Sequence, residues 1–476
     1  MRAELGFIAS QAALGVVGIA LLYALGMVRL RARDLALALG PAYLAGLALV
    51  MGILTACLAV GIPATLASFA IVTVIATAAL AAFGHWRRTA SEAQPPAPRN
   101  AWWERLALVA VAVALAAYFA IGVAALPGSP VVVDNVGFWA PKALALHFYG
   151  ALQPDVFLGA YPHQDYPVLQ PLMQAIAYDA MDRAAVDAIN VQLWMVHFAG
   201  IWTAAWLLAP RFPIRAWLPP LAVLAVLPRA EAVIKIGYAD ATLAAFCAGG
   251  ALALGLWLQE RRPRLLVLAM VLLAGAANTK NEGFAAAAVL LLAAAVVALG
   301  GRPRLATLRG ALPGLAAAAA LILPWRIWVS ANGANADDFL PISETLRWDY
   351  LSERADRLEL GFKAIADQLT IGDTWIWVAP AALLVLLVAV IAGRERGLAG
   401  YYLAGGLLTA SALAWVYWTS DQDVIFHITT SVGRAVMAVV FVLGVGMAHV
   451  CGELIARHSD PGPGEGPGPP EPHTQR

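Results

Sequence analysis

Two acidic residues fall within one polar stretch of an otherwise apolar chain. Asp134 lies in Val133-Asp134-Asn135-Val136-Gly137-Phe138-Trp139-Ala140-Pro141-Lys142, and Asp165 lies in His163-Gln164-Asp165-Tyr166-Pro167. Carboxylates beside an imidazole and a phenol suit proton abstraction or the binding of a divalent cation. Metal use stays open, and no other cofactor is implied. Both acids have a plainer reading: Asp134 capping the helix that holds Trp139 and Lys142, and Asp165 opening the turn before Pro167. For Asp134, bordering hydrocarbon where a carboxyl pKa is tunable, the chemical reading is preferred.

Three further clusters stand at the ends of apolar runs: Gly237-Tyr238-Ala239-Asp240, Asn278-Thr279-Lys280-Asn281-Glu282-Gly283, and the segment from Asp421 through His427, Thr429, Thr430 and Ser431 to Arg434. A charge near hydrocarbon costs about 2.5 to 3.5 kcal/mol at mid-depth and less at the interface. Asp240, Lys280 and Glu282 could therefore be substrate contacts or solvated helix ends paired with one another. Arg434, read as opening a helix, could grip a phosphate through paired hydrogen bonds with help from the helix dipole. Alternatively it snorkels to the lipid headgroups.

The elements that must position these residues are membrane helices. Of the 476 residues, 61% are hydrophobic and 13% charged, against roughly 25% charged in soluble domains. The apolar residues gather in runs of about 20, the length that crosses the hydrocarbon core. About thirteen spans are expected, starting near Leu5, Leu35, Pro63, Leu106, Asp187, Ala216, Ala241, Leu265, Gly283, Ala311, Trp375, Leu398 and Ala435. The run from Leu5 is too long for a signal-peptide core and is expected to remain in the mature protein. The run from Ala216 carries Pro219, Pro220 and Pro228 and reads as a broken or re-entrant helix.

Arginines mark every second connection: Arg29, Arg31 and Arg33; Arg87 and Arg88; Arg211 and Arg215; Arg261, Arg262 and Arg264; Arg302 and Arg304; Arg394 and Arg396. The positive-inside rule makes that side cytoplasmic. The outer side then receives the large loops 127–185, 331–374 and 419–434, together with all four lysines, Lys142, Lys235, Lys280 and Lys363. Within the second loop, Trp348, Leu351, Leu358, Phe362, Ile365 and Leu369 recur at helical spacing and predict one interfacial helix lying on the membrane. Residues 1–105 are expected to form an N-terminal membrane region with a cytoplasmic linker, 106–456 the main membrane module with the three large loops, and 457–476 a Pro/Gly-rich cytoplasmic tail without a core.

A net charge of +1, with no concentrated basic face, excludes nucleic acid as a partner. Cys57, Cys247 and Cys451 all fall in apolar runs, where a thiol packs as a small hydrophobe.

Taken in order, Asp134 with Trp139, Pro141, Lys142 and Ala143, then Asp165-Tyr166-Pro167, Gly237 to Asp240, Lys280 to Gly283 and His427 to Arg434 resemble the GT-C superfamily of membrane glycosyltransferases. The likeness is to the bacterial branch related to protein O-mannosyltransferases and lipid A aminoarabinose transferases, and covers roughly 106–451. It departs in the three spans that precede the matching region and in Asn135, where many relatives carry a second acid.

The resemblance implies an all-α, GT-C-like polytopic fold in the bacterial cytoplasmic membrane, with the site facing the periplasm or exterior. A sugar would pass from a polyprenyl phosphate to a hydroxyl of a lipid, glycan or protein acceptor, with membrane lipids as neighbours. Asp134 would be the base in an inverting transfer. Asp165 would orient the acceptor or hold a cation. Arg434, Lys142, Lys280 and His427 would hold the donor phosphate, and His163, Tyr166, Tyr238, Asp240 and Glu282 would line the substrate. Two other classes stay open: a secondary transporter, and a non-catalytic lipid-binding assembly protein.

Overall fold

The computed structural model describes residues 2–87, 98, 100–126, 137, 139–159, 162–185, 188–300, 305–334, 339–340 and 342–459. Asp134, Asn135, Arg88, Asp187, Arg302, Arg304 and the tail from residue 460 lie outside them. The described residues are helical and contain no β-strand; an antiparallel bridge pairs Phe339 with Ser420 and joins the second large loop to the third.

Among the described residues, ten helices are long and apolar enough to cross a membrane, or eleven when one bent pair is counted as a span. This is fewer than the thirteen spans expected from the sequence, and two further apolar helices are too short to cross. These, Pro263–Ala277 and Val378–Ile391, have only 15 and 14 residues, about 22 Å of helix, short of the hydrocarbon thickness.

The outermost helices show what the fold is built for. Leu66–Trp86 exposes Ile71, Val74 and Ile75, and Trp102–Ala124 exposes Leu106, Val109, Val113 and Ile121. Apolar surface of that extent, on helices that satisfy their own backbone hydrogen bonds, belongs against lipid. The chain is therefore an integral membrane protein.

At the centre, Asp240–Glu260 is buried at every position from Asp240 to Leu258. It packs against Ala188–Leu208, Pro263–Ala277 and Met437–Ser459. Small residues let membrane helices approach closely. Where Arg2–Ala24 meets Leu39–Ala59, a Cβ on Gly18 would lie 1.7 Å from the Ala42 carbonyl oxygen, and one on Gly46 would lie 1.9 Å from that of Leu14. Only glycine fits at either position.

The proline-rich run is broken: Ile214–Ala225 and Pro228–Ile236 meet at 44°. Pro228 sits in the first turn of the second piece, where its missing N–H removes nothing from the helix. Gly237 (φ 85°) and Tyr238 then lead into the central helix.

Two loop expectations change. The single interfacial helix is two pieces, Trp348–Ser352 and Ala355–Leu369. The break is fixed by hydrogen bonds: Arg354 and Arg357 both donate to the Ser420 carbonyl, and the Tyr350 hydroxyl donates to that of Thr419. Ala355–Leu369 also does not simply lie on the membrane. It packs on Arg396–Thr419, with Gly361 against Tyr417 and Ile365 buried. The second change is in the third loop, where Val424–Ala435 is itself a helix started by Asp423, whose side chain accepts the Phe426 N–H. Arg434 is therefore in the last turn of a helix and does not open one. The positive end of a helix dipole is not available to it there.

Candidate active site

The central helix begins at the site. Asp240, in its first turn, is 2% exposed and holds two cations: Lys280 Nζ is 3.0 Å from one carboxylate oxygen, and Arg434 Nη1 is 3.2 Å from the other. Lys280 sits in the short connection between Pro263–Ala277 and Asn281–Gly300, and also lies 3.2 Å from Glu282 Oε1. Glu282 Oε1 in turn accepts the Tyr166 hydroxyl at 3.3 Å. The Arg434 guanidinium stacks 4.2 Å above the Tyr238 ring. The expectation of solvated helix ends is half met: Asp240, Lys280 and Glu282 pair with one another, but Asp240 and Lys280 do so out of water. Burial is the largest single influence on Lys280 and pushes its pKa down, yet Asp240 and Glu282 hold it above the usual lysine range.

The loop 127–185 supplies a second group beside the first. His163 stacks on Tyr166 with ring centres 4.7 Å apart, and Trp139 lies 5.8 Å from the same tyrosine. Buried Lys142 donates to the His163 carbonyl, which fixes a turn in which His163 has φ 57°. Asp165 accepts a short hydrogen bond from Asn281 Nδ2. Asn281 Oδ1 accepts Arg326 Nη1 at 2.7 Å, and Trp325 Nε1 donates to the Asp165 carbonyl at 2.9 Å. The other carboxylate oxygen of Asp165 is buried without a hydrogen-bond partner among the described residues. Burial, only partly opposed by Asn281, Lys142, His163 and Arg326, raises the pKa of this carboxyl above the ordinary aspartate range.

His427 stands one ring away. It meets Tyr417 edge-on at 5.1 Å, and the Tyr417 hydroxyl lies 2.9 Å from Ser431 Oγ. Lys142, His163, Asp165, Tyr166, Tyr238, Asp240, Lys280, Glu282, His427 and Arg434 are thus gathered from four separate stretches of sequence. Asp134, the remaining expected site residue, is not described. Among the described residues no three His, Cys, Asp or Glu side chains cluster at metal-binding range, and the groups around Asp165 include Lys142 and Arg326, which repel a cation.

The sequence reading did not single out Arg326, Trp325, Tyr417 or Arg229. The signal for Arg326 was present: it is a charge inside the apolar run Gly310–Asn332, and such charges mark functional positions in membrane helices.

The far end of the central helix is as charged as the near one. Glu260 pairs with Arg211 and Arg262, and nearby Arg215 pairs with Glu104. At 1.5 Å per residue the two charged ends are about 30 Å apart, so the acid-and-lysine site lies at the opposite end of the central helix from Arg211 and Arg262.

Fold and site together define an integral membrane protein, helical throughout its described residues, with a buried ion-pair cluster at one end of the central helix and the pairs of Glu260 with Arg211 and Arg262 at the other. No family model, curated protein or solved structure matches the chain.

Proposed function

We propose that the protein is a glycosyltransferase that moves a sugar from a polyprenyl phosphate to an acceptor hydroxyl at the outer face of the bacterial cytoplasmic membrane. The observation that carries this reading is the convergence of Asp165, Glu282, Lys280 and Arg434 on one membrane-embedded site. It brings acids suited to orienting a hydroxyl next to cations suited to a departing phosphate. The resemblance to GT-C enzymes stated from the sequence is its second support.

In this mechanism Asp134 takes the proton from the acceptor hydroxyl, whose oxygen attacks the anomeric carbon with inversion as the bond to the phosphate oxygen breaks. Asp165, held by Asn281 and with its other oxygen unpartnered among the described residues, orients the acceptor. Arg434, Lys280 and His427 face the charge that develops on the leaving phosphate, Lys142 shapes the loop carrying His163, and Tyr166, Tyr238, Asp240 and Glu282 line the sugar. The amphipathic helix Ala355–Leu369 covers the site and guides the lipid chain.

The test is to compare wild type with Asp134→Asn in nanodiscs, both shown to be folded, for sugar release from a panel of polyprenyl-phosphate sugars with membrane extract as acceptor source. Turnover by wild type alone supports the transfer and the role of Asp134. A second reading, a secondary transporter, is favoured by the span broken at 44°, a feature of transporter binding sites. Solute accumulation in vesicles with no sugar transfer would put it in place of the first.

A further inference from the structure

The cations around the site differ in one respect. Lys280 is shared by two carboxylates, Arg434 is held by Asp240, Lys142 by a carbonyl and Arg326 by Asn281. Arg229, at the break of the bent span, has no hydrogen bond, ion pair or ring contact among the described residues, and its Nε is buried. The neighbouring acid on the same helix, Glu231, is already bonded to Lys235 and Tyr118.

Beside Arg229 a second group is unsatisfied: Gln368 Oε1, on the amphipathic helix Ala355–Leu369, is buried without a partner. Both side chains border Gly433, where a Cβ would lie 3.3 Å from Arg229 Nη2 and 3.5 Å from Gln368 Oε1. Gly433 immediately precedes Arg434, so this notch adjoins the ion-pair cluster. A guanidinium without a carboxylate, inside an apolar span, leaves a positive charge that a bound anion would balance, and its planar fork matches a phosphate. A half-turn of the Gln368 amide presents Nε2 as a further donor.

We propose that Arg229, with Gln368 over Gly433, binds the phosphate of a lipid-linked phosphate; the assignment rests on the transferase reading for the identity of that lipid as the sugar donor. Arg229, with no carboxylate of its own, anchors the donor phosphate, while Arg434 and Lys280, held by Asp240 and Glu282, meet the charge that develops on it as the bond to the sugar breaks.

The test uses the full-length protein in phosphatidylcholine nanodiscs with dodecyl phosphate as the probe. Wild type should bind it saturably. Arg229→Gln should weaken binding at least tenfold, Gln368→Ala less, and Arg229→Lys should keep part of it. Thermal unfolding without probe should be unchanged in all three, since Arg229 gives up no internal partner.

Unchanged binding by Arg229→Gln overturns the site, as does equal affinity for dodecanol, which would indicate an apolar crevice only. Equal affinity for inorganic phosphate overturns the lipid linkage. Loss of probe binding in phosphatidylglycerol nanodiscs gives the notch to a phospholipid headgroup and overturns the donor assignment. Phosphate binding through Arg229 with no sugar turnover would sink the transferase reading and leave the site standing; turnover that needs Asp134 but not Arg229 would do the reverse.

Discussion

At Asp240 one carboxylate is shared by two cations almost entirely out of water, and this sets how the site responds to substitution. Removing one partner of a buried ionic cluster leaves the others uncompensated, at about 3 to 5 kcal/mol. Asp240→Asn, close in shape, should therefore lower the thermal unfolding midpoint clearly, and adding Arg434→Gln should recover part of the loss. A drop that the second change does not ease would mean that the two residues are not coupled. Asp165 gives the pH dependence. Because burial raises its pKa, folding binds its proton more tightly than the unfolded chain does. Its contribution to stability is thus complete below the ordinary aspartate range and is lost as pH rises through the raised value. Activity that needs ionised Asp165 has the opposite sign and is lost as pH falls through that value. The acid limb of kcat/KM should lie above the ordinary aspartate range and disappear in Asp165→Asn.

Among the elements, the contact of Arg2–Ala24 with Leu39–Ala59 is the most demanding, because backbone meets backbone where Gly18 and Gly46 lack side chains. Overpacking a core costs about 1 to 3 kcal/mol, and here the obstacle is a carbonyl group that cannot swing aside. Gly18→Ala and Gly46→Ala should each fall in or above that range. Gly15→Ala, on the first of these helices with nothing within 4 Å of its Cβ, should be neutral or mildly stabilising, since alanine favours a helix by about 1 kcal/mol over glycine. Unfolding midpoints of the three variants in one detergent decide the matter; equal effects would refute the close crossing. The break at Pro228 is of another kind. It was legible from the three prolines, but its consequence was not, because the residue it presents, Arg229, looks in the sequence like any arginine near a span end.

On the scale of the whole molecule, the membrane class was readable because apolar runs of fixed length leave few alternatives, although among the described residues ten or eleven spans, not thirteen, are long enough to cross. The grouping of Asp240, Lys280, Glu282 and Arg434 was readable in part: charges at span ends on one side of a membrane are already confined to a layer, so meeting is the simple outcome. What was hidden depended on tertiary contacts. Arg434 was placed at the start of a helix because the apolar residues from Val424 onward looked like loop, although Asp423 is an adequate helix-starting residue. The single interfacial helix was cut by hydrogen bonds to Ser420, a residue far away in the sequence. Asp165 could not be linked to Arg326 without knowing that Asn281 stands between them. One further consequence belongs to the central helix Asp240–Glu260. It touches lipid almost nowhere and is pinned by ion pairs at both ends, so it acts as a ruler whose length the bilayer cannot alter. A thinner or thicker membrane must be accommodated at the rim, by tilting of Leu66–Trp86 and Trp102–Ala124, and the spacing between the two charged layers stays the same in any of them.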